Sequence, residues 1–337
     1  YVDQYNKKTI LVTGDGIISS IDNTKFKTDK FNAKIIRSNI TDLITDKRVY
    51  KKSDVGIKDL LIIGNKIYLS YSNNVNECYN TSIIEAEINF EYLLFNKLFE
   101  PNNCANKESG VYFFNPHSSG GKMVKYDNEH ILFTHGDYYY WPAPQDEKNH
   151  LGKILLINLE SKQAKIVSKG HRNPQGLYYD KNRNILVSAE HGPVGGDEIN
   201  INNLDDNKIK NFGWPISSYG EHHCKEKFEM EGKNGLDCPD YKLAPLNKSH
   251  SEYGFLEPFK YWVPSIGVTE IQRTPDSFLD TKNLEFFVGA LGNNINEGDM
   301  SLHHLTFDDE YKEIKNENIL RLHQRIRDMK YSEDLGK

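Results

Sequence analysis

Short runs of apolar, β-branched and aromatic residues recur along the chain. Each is opened by a polar turn and closed by a small or glycine-bearing exit. The clearest copies cover residues 8–15, 65–72, 128–137, 184–192 and 283–292. The first four begin about 55–65 residues apart and the fifth about 100 residues later, as if one diverged unit lay between. Further runs of the same kind cover 152–158 and 164–168. Runs this short, rich in Ile, Val, Leu, Tyr and Phe and bounded by Asn, Asp and Gly, predict strands. Few segments carry a sustained 3.6-residue apolar period, so little helix is expected. A unit of about 55 residues holding several strands predicts an all-β chain built as a β-propeller, and the length allows about six blades. A pair of β-sandwiches is the other arrangement that fits. No linker divides the pattern, which reads as one domain over residues 1–337. Residues 219–253 are polar, carry two cysteines and read as a long excursion from it.

Composition narrows the setting. Across 337 residues the formal charge is -6, so no broad basic surface invites nucleic acid. No run approaches the roughly 20 apolar residues of a membrane span. The opening stretch from Tyr1 shows no signal peptide and reads as mature protein or a trimmed chain. Cys78, Cys104, Cys224 and Cys238 lie in polar surroundings. They fit two disulfides, most simply Cys78–Cys104 and Cys224–Cys238. All three pairings remain open, as does a set of free thiols. Disulfides would imply an oxidising compartment, hence a periplasmic or secreted protein. No Cys/His spacing announces zinc.

Chemistry concentrates in two stretches, 170–177 (Gly-His-Arg-Asn-Pro-Gln-Gly-Leu) and 190–200 (Glu-His-Gly-Pro-Val-Gly-Gly-Asp-Glu-Ile-Asn). In the first, Arg172 offers a planar fork suited to carboxylate or quinone oxygens, and Asn173 adds a donor and an acceptor. In the second, Gly192 and Pro193 can turn consecutive carbonyls toward a cation, and Asp197 and Glu198 are adjacent carboxylates. Oxygen donors of this kind suit calcium. Together the stretches point to a site for an anionic planar ligand and a metal. Residues 211–215 (Asn-Phe-Gly-Trp-Pro) predict a turn around a buried Trp, and 261–267 an aromatic strand entering a tight turn. The period of two places Arg325 and Arg327 on one face of a strand, as a polyanion would require. His117, ahead of the flexible Ser-Ser-Gly-Gly turn that ends at Lys122, is a candidate general base. His135, His191, His222 and His223 compete with it. No Walker loop, Rossmann fingerprint or nucleophile elbow is present.

Taken together these motifs resemble one family, the soluble glucose/sorbosone or aldose sugar dehydrogenases that use pyrroloquinoline quinone (PQQ). The resemblance runs from residues 56–59 and 67–72 to 325–328 and is most specific in 170–177, 190–200 and 211–215. It implies a six-bladed propeller, with the last blade incomplete in this chain, and PQQ near the axis. It implies that Arg172, Asn173, Arg325 and Arg327 hold the cofactor, and that the Gly192 and Pro193 carbonyls bind the calcium that touches it. Glu198 and the Phe212 carbonyl would form part of a second, structural calcium site. His117 would take the proton of the anomeric hydroxyl while hydride passes to a PQQ carbonyl carbon polarised by calcium. The product would be a lactone, with the electrons passed to an external acceptor.

The chain departs from the family at several positions. One extra residue separates His117 from the paired glycines, and Lys122 stands where Arg is usual. Asp54 replaces a common Gln, and His223 replaces a cofactor-contacting Tyr. Residues 292–294 (Gly-Asn-Asn) stand where a Lys is expected. These changes leave two further readings: a non-catalytic propeller that binds a saccharide or protein partner on the same face, and a calcium-dependent lactone hydrolase.

Overall fold

The strands of the computed structural model form five sheets among the described residues, which are 1–27, 32–46, 56–106, 116–246, 248–276, 279 and 283–336. Blade I holds Val2–Tyr5, Lys8–Val12, Ile18–Asp22 and Lys34–Ser38, with Tyr92–Leu93 on its outer edge. Blade II holds Ile57–Ile63, Lys66–Val75 and Cys78–Glu87, and both Asn96–Phe99 and Ala105–Asn106 pair with the last of these. Blade III holds Gly120–Lys125, His130–His135, Lys153–Asn158 and Ala164–Lys169, edged by Lys210–Asn211. Blade IV holds Asn173–Asp180, Ile185–His191, Asp197–Asn203 and Lys260–Trp262. Blade V holds Val268–Arg273, Leu284–Ala290, Ser301–Phe307 and Ile314–Arg321. The chain is therefore an all-β propeller. Five blades are found among the described residues, so these do not meet the expected count of six.

Each of the five recurring apolar runs falls on the second strand of its blade. In blades II to IV a neighbouring blade lies on each side, so the apolar residues of that strand run on instead of alternating, whereas in blade V burial alternates along its first half. Ile10, Ile67, Leu69, Phe133, Val187 and Phe286 are completely buried there. The outermost strand of blade V, Ile314–Arg321, is largely exposed and polar. Among the described residues no diverged unit fills the long gap before the fifth run. That length is taken up inside blade IV, by the excursion between Asp197–Asn203 and Lys260–Trp262. The excursion carries the helices His223–Met230 and Pro239–Leu243, and the Cys224–Cys238 disulfide closes it. Cys78–Cys104 fastens the outer strands of blade II.

The first strands of blades II to V lie against one another in chain order. Each carries a β-bulge near its beginning. The extra residue is Lys58 in blade II and Gln175 in blade IV, and it lies at 121–122 in blade III and 269–270 in blade V. A bulge breaks the two-residue alternation and re-aims a side chain, and here it does so four times around the axis. The segment holding Arg325 and Arg327 belongs to no ladder, contrary to the expected strand. It is tied to blade V by Arg325 Nε donating to the Leu291 carbonyl at 2.7 Å and Thr269 Oγ1 donating to the Ile326 carbonyl at 2.7 Å.

Candidate functional site

At the end of the axis where the first strands begin lies a cavity of about 850 Å³. His117, Arg172, Asn173, Gly192, Pro193, His223, Arg325 and Arg327 all line it. The stretch around Arg172 is held by the turn at 211–215. The Phe212 and Trp214 amides donate to the Lys169 and Gly170 carbonyls at 2.9 and 3.0 Å. Gly170 adopts φ +74°, and a Cβ there would sit 2.3 Å from Asn211 Oδ1, so glycine alone allows the approach. Arg172 then runs between Tyr139 and Trp214, whose ring centroids lie 5.0 and 5.6 Å from its guanidinium carbon. Its Nη1 donates to the His191 carbonyl at 3.1 Å and its Nη2 to Tyr139 Oη at 2.5 Å. Its Nε is buried with no partner among the described residues. Asn173 Oδ1 accepts from the Gly120 amide at 3.0 Å and from Gln175 Nε2 at 2.8 Å.

The second stretch is the turn between two strands of blade IV, and its acidic residues divide their work. Asp197 Oδ1 accepts from the Gly192 amide at 3.0 Å, and its Oδ2 accepts from Ile266, Gly267 and Val268 at 3.1, 2.6 and 3.0 Å. It therefore closes the turn on itself with one backbone hydrogen bond and clamps it to the chain entering blade V with three. Glu198 points the other way, into a chamber of about 10 Å³ lined also by Glu190, Gly192, Pro193, Phe212, Ser217 and His250. Its Oε1 lies 3.3 Å from His250 Nε2, and its Oε2 accepts from Asn200 Nδ2 at 3.3 Å. Burial pushes its carboxyl above the ordinary range. The fold thus brings Gly192, Pro193, Glu198 and Phe212 around one small space.

His117 is exposed, on the turn that leads into blade III. The glycines after it take φ +61° and +113°, and a bulge follows between Gly120 and Met123. Lys122 leaves the cavity altogether. Its ammonium is buried on the axis, 3.0 Å from Asp59 and 3.2 Å from Asp328, and also paired with Glu270. The rival histidines separate by environment. His135 is fully buried, accepts from the Thr81 amide at 3.0 Å and is pushed down to about 3 by burial. His222 is buried against Trp141 and pushed down to about 4 by burial. Neither lines the cavity, whereas His191 does. His223 reaches it as the first residue of the helix His223–Met230. Asp54 lies outside the described residues. Tyr139, Gln175 and Lys58 line the cavity without having been anticipated. The Tyr-Tyr-Tyr-Trp run at 138–141 was a visible signal for the first of these. The bulges that aim the other two leave no mark in a single sequence.

A family model described as Glucose / Sorbosone dehydrogenase matches residues 24–336. The chain is 25% identical to the Synechocystis protein slr1608 over 292 residues, covering 80% of this chain and 62% of that protein. It is 28% identical to the aldose sugar dehydrogenase YliI of Escherichia coli over 185 residues, covering 51% and 44%. It is 38% identical to quinoprotein glucose dehydrogenase B of Acinetobacter calcoaceticus over 125 residues, covering 28% and 25%. The chain thus spans less than two thirds of the length of each. Among solved structures, the soluble aldose sugar dehydrogenase of Escherichia coli in its apo form aligns with TM-score 0.68 at 20% identity, over 96% of this chain and 86% of that one. The PQQ-bound aldose sugar dehydrogenase of Streptomyces coelicolor aligns with TM-score 0.59 at 15% identity, over 95% and 80%. At these identities the structural likeness speaks for the propeller fold alone.

Proposed function

The chain belongs to the glucose/sorbosone dehydrogenase family, and from that premise we propose that it oxidises an aldose at the anomeric carbon to a lactone, using PQQ and calcium. The observation that carries this reading is the convergence of His117, Arg172, Asn173, Arg325 and Arg327 on one cavity.

The residues present suit both groups. A cavity of about 850 Å³ lies within the size range of small-molecule sites. Three guanidinium groups line it, and the oxygens of Asp197 on its wall are engaged by backbone amides. The unpartnered Nε of Arg172 is a buried donor without an acceptor among the described residues, as a site for an anionic ligand would present. The smaller chamber offers Glu190, Glu198 and backbone oxygens, hard donors for a hard cation, in a space of about one ion or water.

PQQ, when bound, would supply a two-electron acceptor, and calcium a Lewis acid beside it. Arg172, Arg325 and Arg327 would hold the acidic and quinone oxygens, with Asn173 beside them. The Gly192 and Pro193 carbonyls would face the catalytic calcium, and Glu198 with the Phe212 carbonyl a structural one. His117, exposed at the mouth, would receive the proton of the anomeric hydroxyl. His223 would complete the wall from the excursion, and an external acceptor would collect the electrons. Access of His117 to the cavity favours this reading over a non-catalytic binding propeller.

The same reading extends to the architecture. The segment around Arg325–Asp328 runs between blades V and I, with the Val2 amide donating to Asp328 Oδ2 at 2.7 Å. We read it as the counterpart of an innermost strand of a sixth blade, and the whole chain as a single domain. Among the described residues no helix is long and apolar enough to cross a membrane. The two disulfides fit a periplasmic or secreted setting.

The test is reconstitution of the purified protein with PQQ and calcium, followed by dye reduction with a panel of aldoses. Absence of both dye reduction and any change in quinone absorbance at saturating cofactor would sink the proposal. His117→Ala should lower kcat by roughly 10²–10⁴-fold, the usual contribution of a general base. Unchanged kcat would pass the role to His191 or His223.

A further inference from the structure

The four bulges do not aim their residues alike. In blades III and V the extra length turns Lys122 and Glu270 down onto the axis, where they meet Asp59 and Asp328. In blades II and IV the extra residues are Lys58 and Gln175, and both line the axial cavity. Lys58 sits between Ile57 and Asp59, which are buried, and is itself only half-buried. Without the bulge its side chain would alternate with theirs across the two covered faces of blade II. The extra residue breaks that alternation.

A second observation shows that the neighbouring blade makes room for this side chain. Gly121 in blade III adopts φ +113°, and a Cβ there would lie 2.4 Å from Lys58 Cβ and 3.1 Å from its Cγ. The stem of Lys58 therefore lies across the bare Cα of Gly121, a path open only over a glycine. That path ends in the cavity already walled by Arg172, Arg325 and Arg327. The functional motifs supply those three cations from blade IV and the axial segment. Lys58 enters from blade II.

We infer that Lys58 is an anion-binding residue of the axial cavity, delivered by the blade II bulge over Gly121, and that it holds an acidic group of the bound quinone. The inference rests on the proposed PQQ site and adds to it a contact from blade II. A lysine ammonium serves here as a point charge on a flexible stem, so arginine can replace it in charge but neutral residues cannot.

The test measures binding, not turnover. PQQ is titrated into the calcium-loaded apoprotein, with tryptophan fluorescence quenching as the readout, over a range of salt concentrations. Lys58→Met and Lys58→Gln should weaken PQQ binding by roughly tenfold or more, the size of one lost charge-assisted hydrogen bond, and should flatten its salt dependence. Lys58→Arg should bind within about threefold of the parent. Thermal unfolding of each apoprotein verifies folding, and the Gln and Arg variants carry the comparison if the Met variant does not fold. Parental affinity and salt dependence in the neutral variants overturn the role of Lys58 and leave the quinone site standing. Failure of the parent protein itself to bind PQQ overturns the site and this contact together.

Discussion

Lys122 is the residue on which the buried electrostatics turn. Its ammonium is surrounded by Asp59, Glu270 and Asp328, all nearly inaccessible to water. Burial raises Asp59 to about 6 and holds Glu270 well above the carboxylate range, even with Lys122 beside them. Three buried acids around one base cannot all be charged cheaply. Asp328 is held below its ordinary value despite burial, chiefly by Lys122, so the protons that the unfolded chain releases are retained on Asp59 and Glu270. Folded carboxyls with raised pKa bind more protons than unfolded ones. Their contribution to stability is therefore present at low pH and lost as pH rises from the unfolded value of about 4 through the folded one. Lys122→Met removes the compensating charge. It should cost about 3–5 kcal/mol at pH 7.5, where the acids must either be buried unpaired or be kept protonated against the solvent, and less at pH 5, where protonation comes more easily. Urea unfolding at the two pH values reads the difference, and an equal loss at both would refute this account. The opposite case is His135, pushed down to about 3 by burial. A base with a depressed folded pKa gives stability that is lost as pH falls below about 6.5, so His135→Gln should flatten the acid limb of the stability profile.

At the scale of elements, the spacing between blades is set where innermost strands approach without side chains. A Cβ on Gly176 would lie 2.3 Å from the Thr269 carbonyl and 2.8 Å from the Ile271 amide, both on the first strand of blade V. Backbone cannot yield as a flexible side chain can. Gly176→Ala should therefore destabilise by about 1–3 kcal/mol or more through overpacking between blades IV and V. Gly14→Ala, where nothing lies within 4 Å, should stay within about 0.5 kcal/mol. Comparable losses in the two variants, measured by chemical denaturation, would show that blade spacing is not what Gly176 protects. The second strands, by contrast, were legible from sequence. All five apolar runs landed on them, because a strand covered by neighbouring blades demands apolar residues. The helices of the excursion were not legible. His223–Met230 is short and weakly amphipathic, and it is held by the Cys224–Cys238 bridge and by packing of His222 on Trp141.

At the scale of the whole molecule, the ligand cavity lies where blades and axial segment meet, so ligand binding should stabilise them together. Saturating PQQ with calcium should raise the thermal midpoint of the apoprotein. An excess of a hundredfold over Kd corresponds to about 2.7 kcal/mol. Calcium chelation should reverse most of the gain if the Gly192 and Pro193 carbonyls hold the ion beside the quinone. A midpoint that ignores both ligands would argue against a site on the axis.

The residue types of the candidate site, the second strands and the family resemblance were all readable from the chain alone. They rest on local sequence, namely apolar runs long enough to be buried and motif residues grouped within a few positions. Which way the polar residues point was not readable. Asp197 and Glu198 look alike as neighbours, yet one binds four backbone amides and the other enters the small chamber. Lys122 follows the His117 turn closely yet lies on the axis with three acids, while Lys58 faces the cavity. Asp197 and Glu198 part by the ordinary alternation of a regular strand, whereas the aims of Lys122 and Lys58 depend on bulges, which reflect register between strands whose partners and neighbours lie far apart in sequence. Composition and pattern determined what is buried. Only the packing of blade against blade decided which charges gather on the axis and which line the cavity.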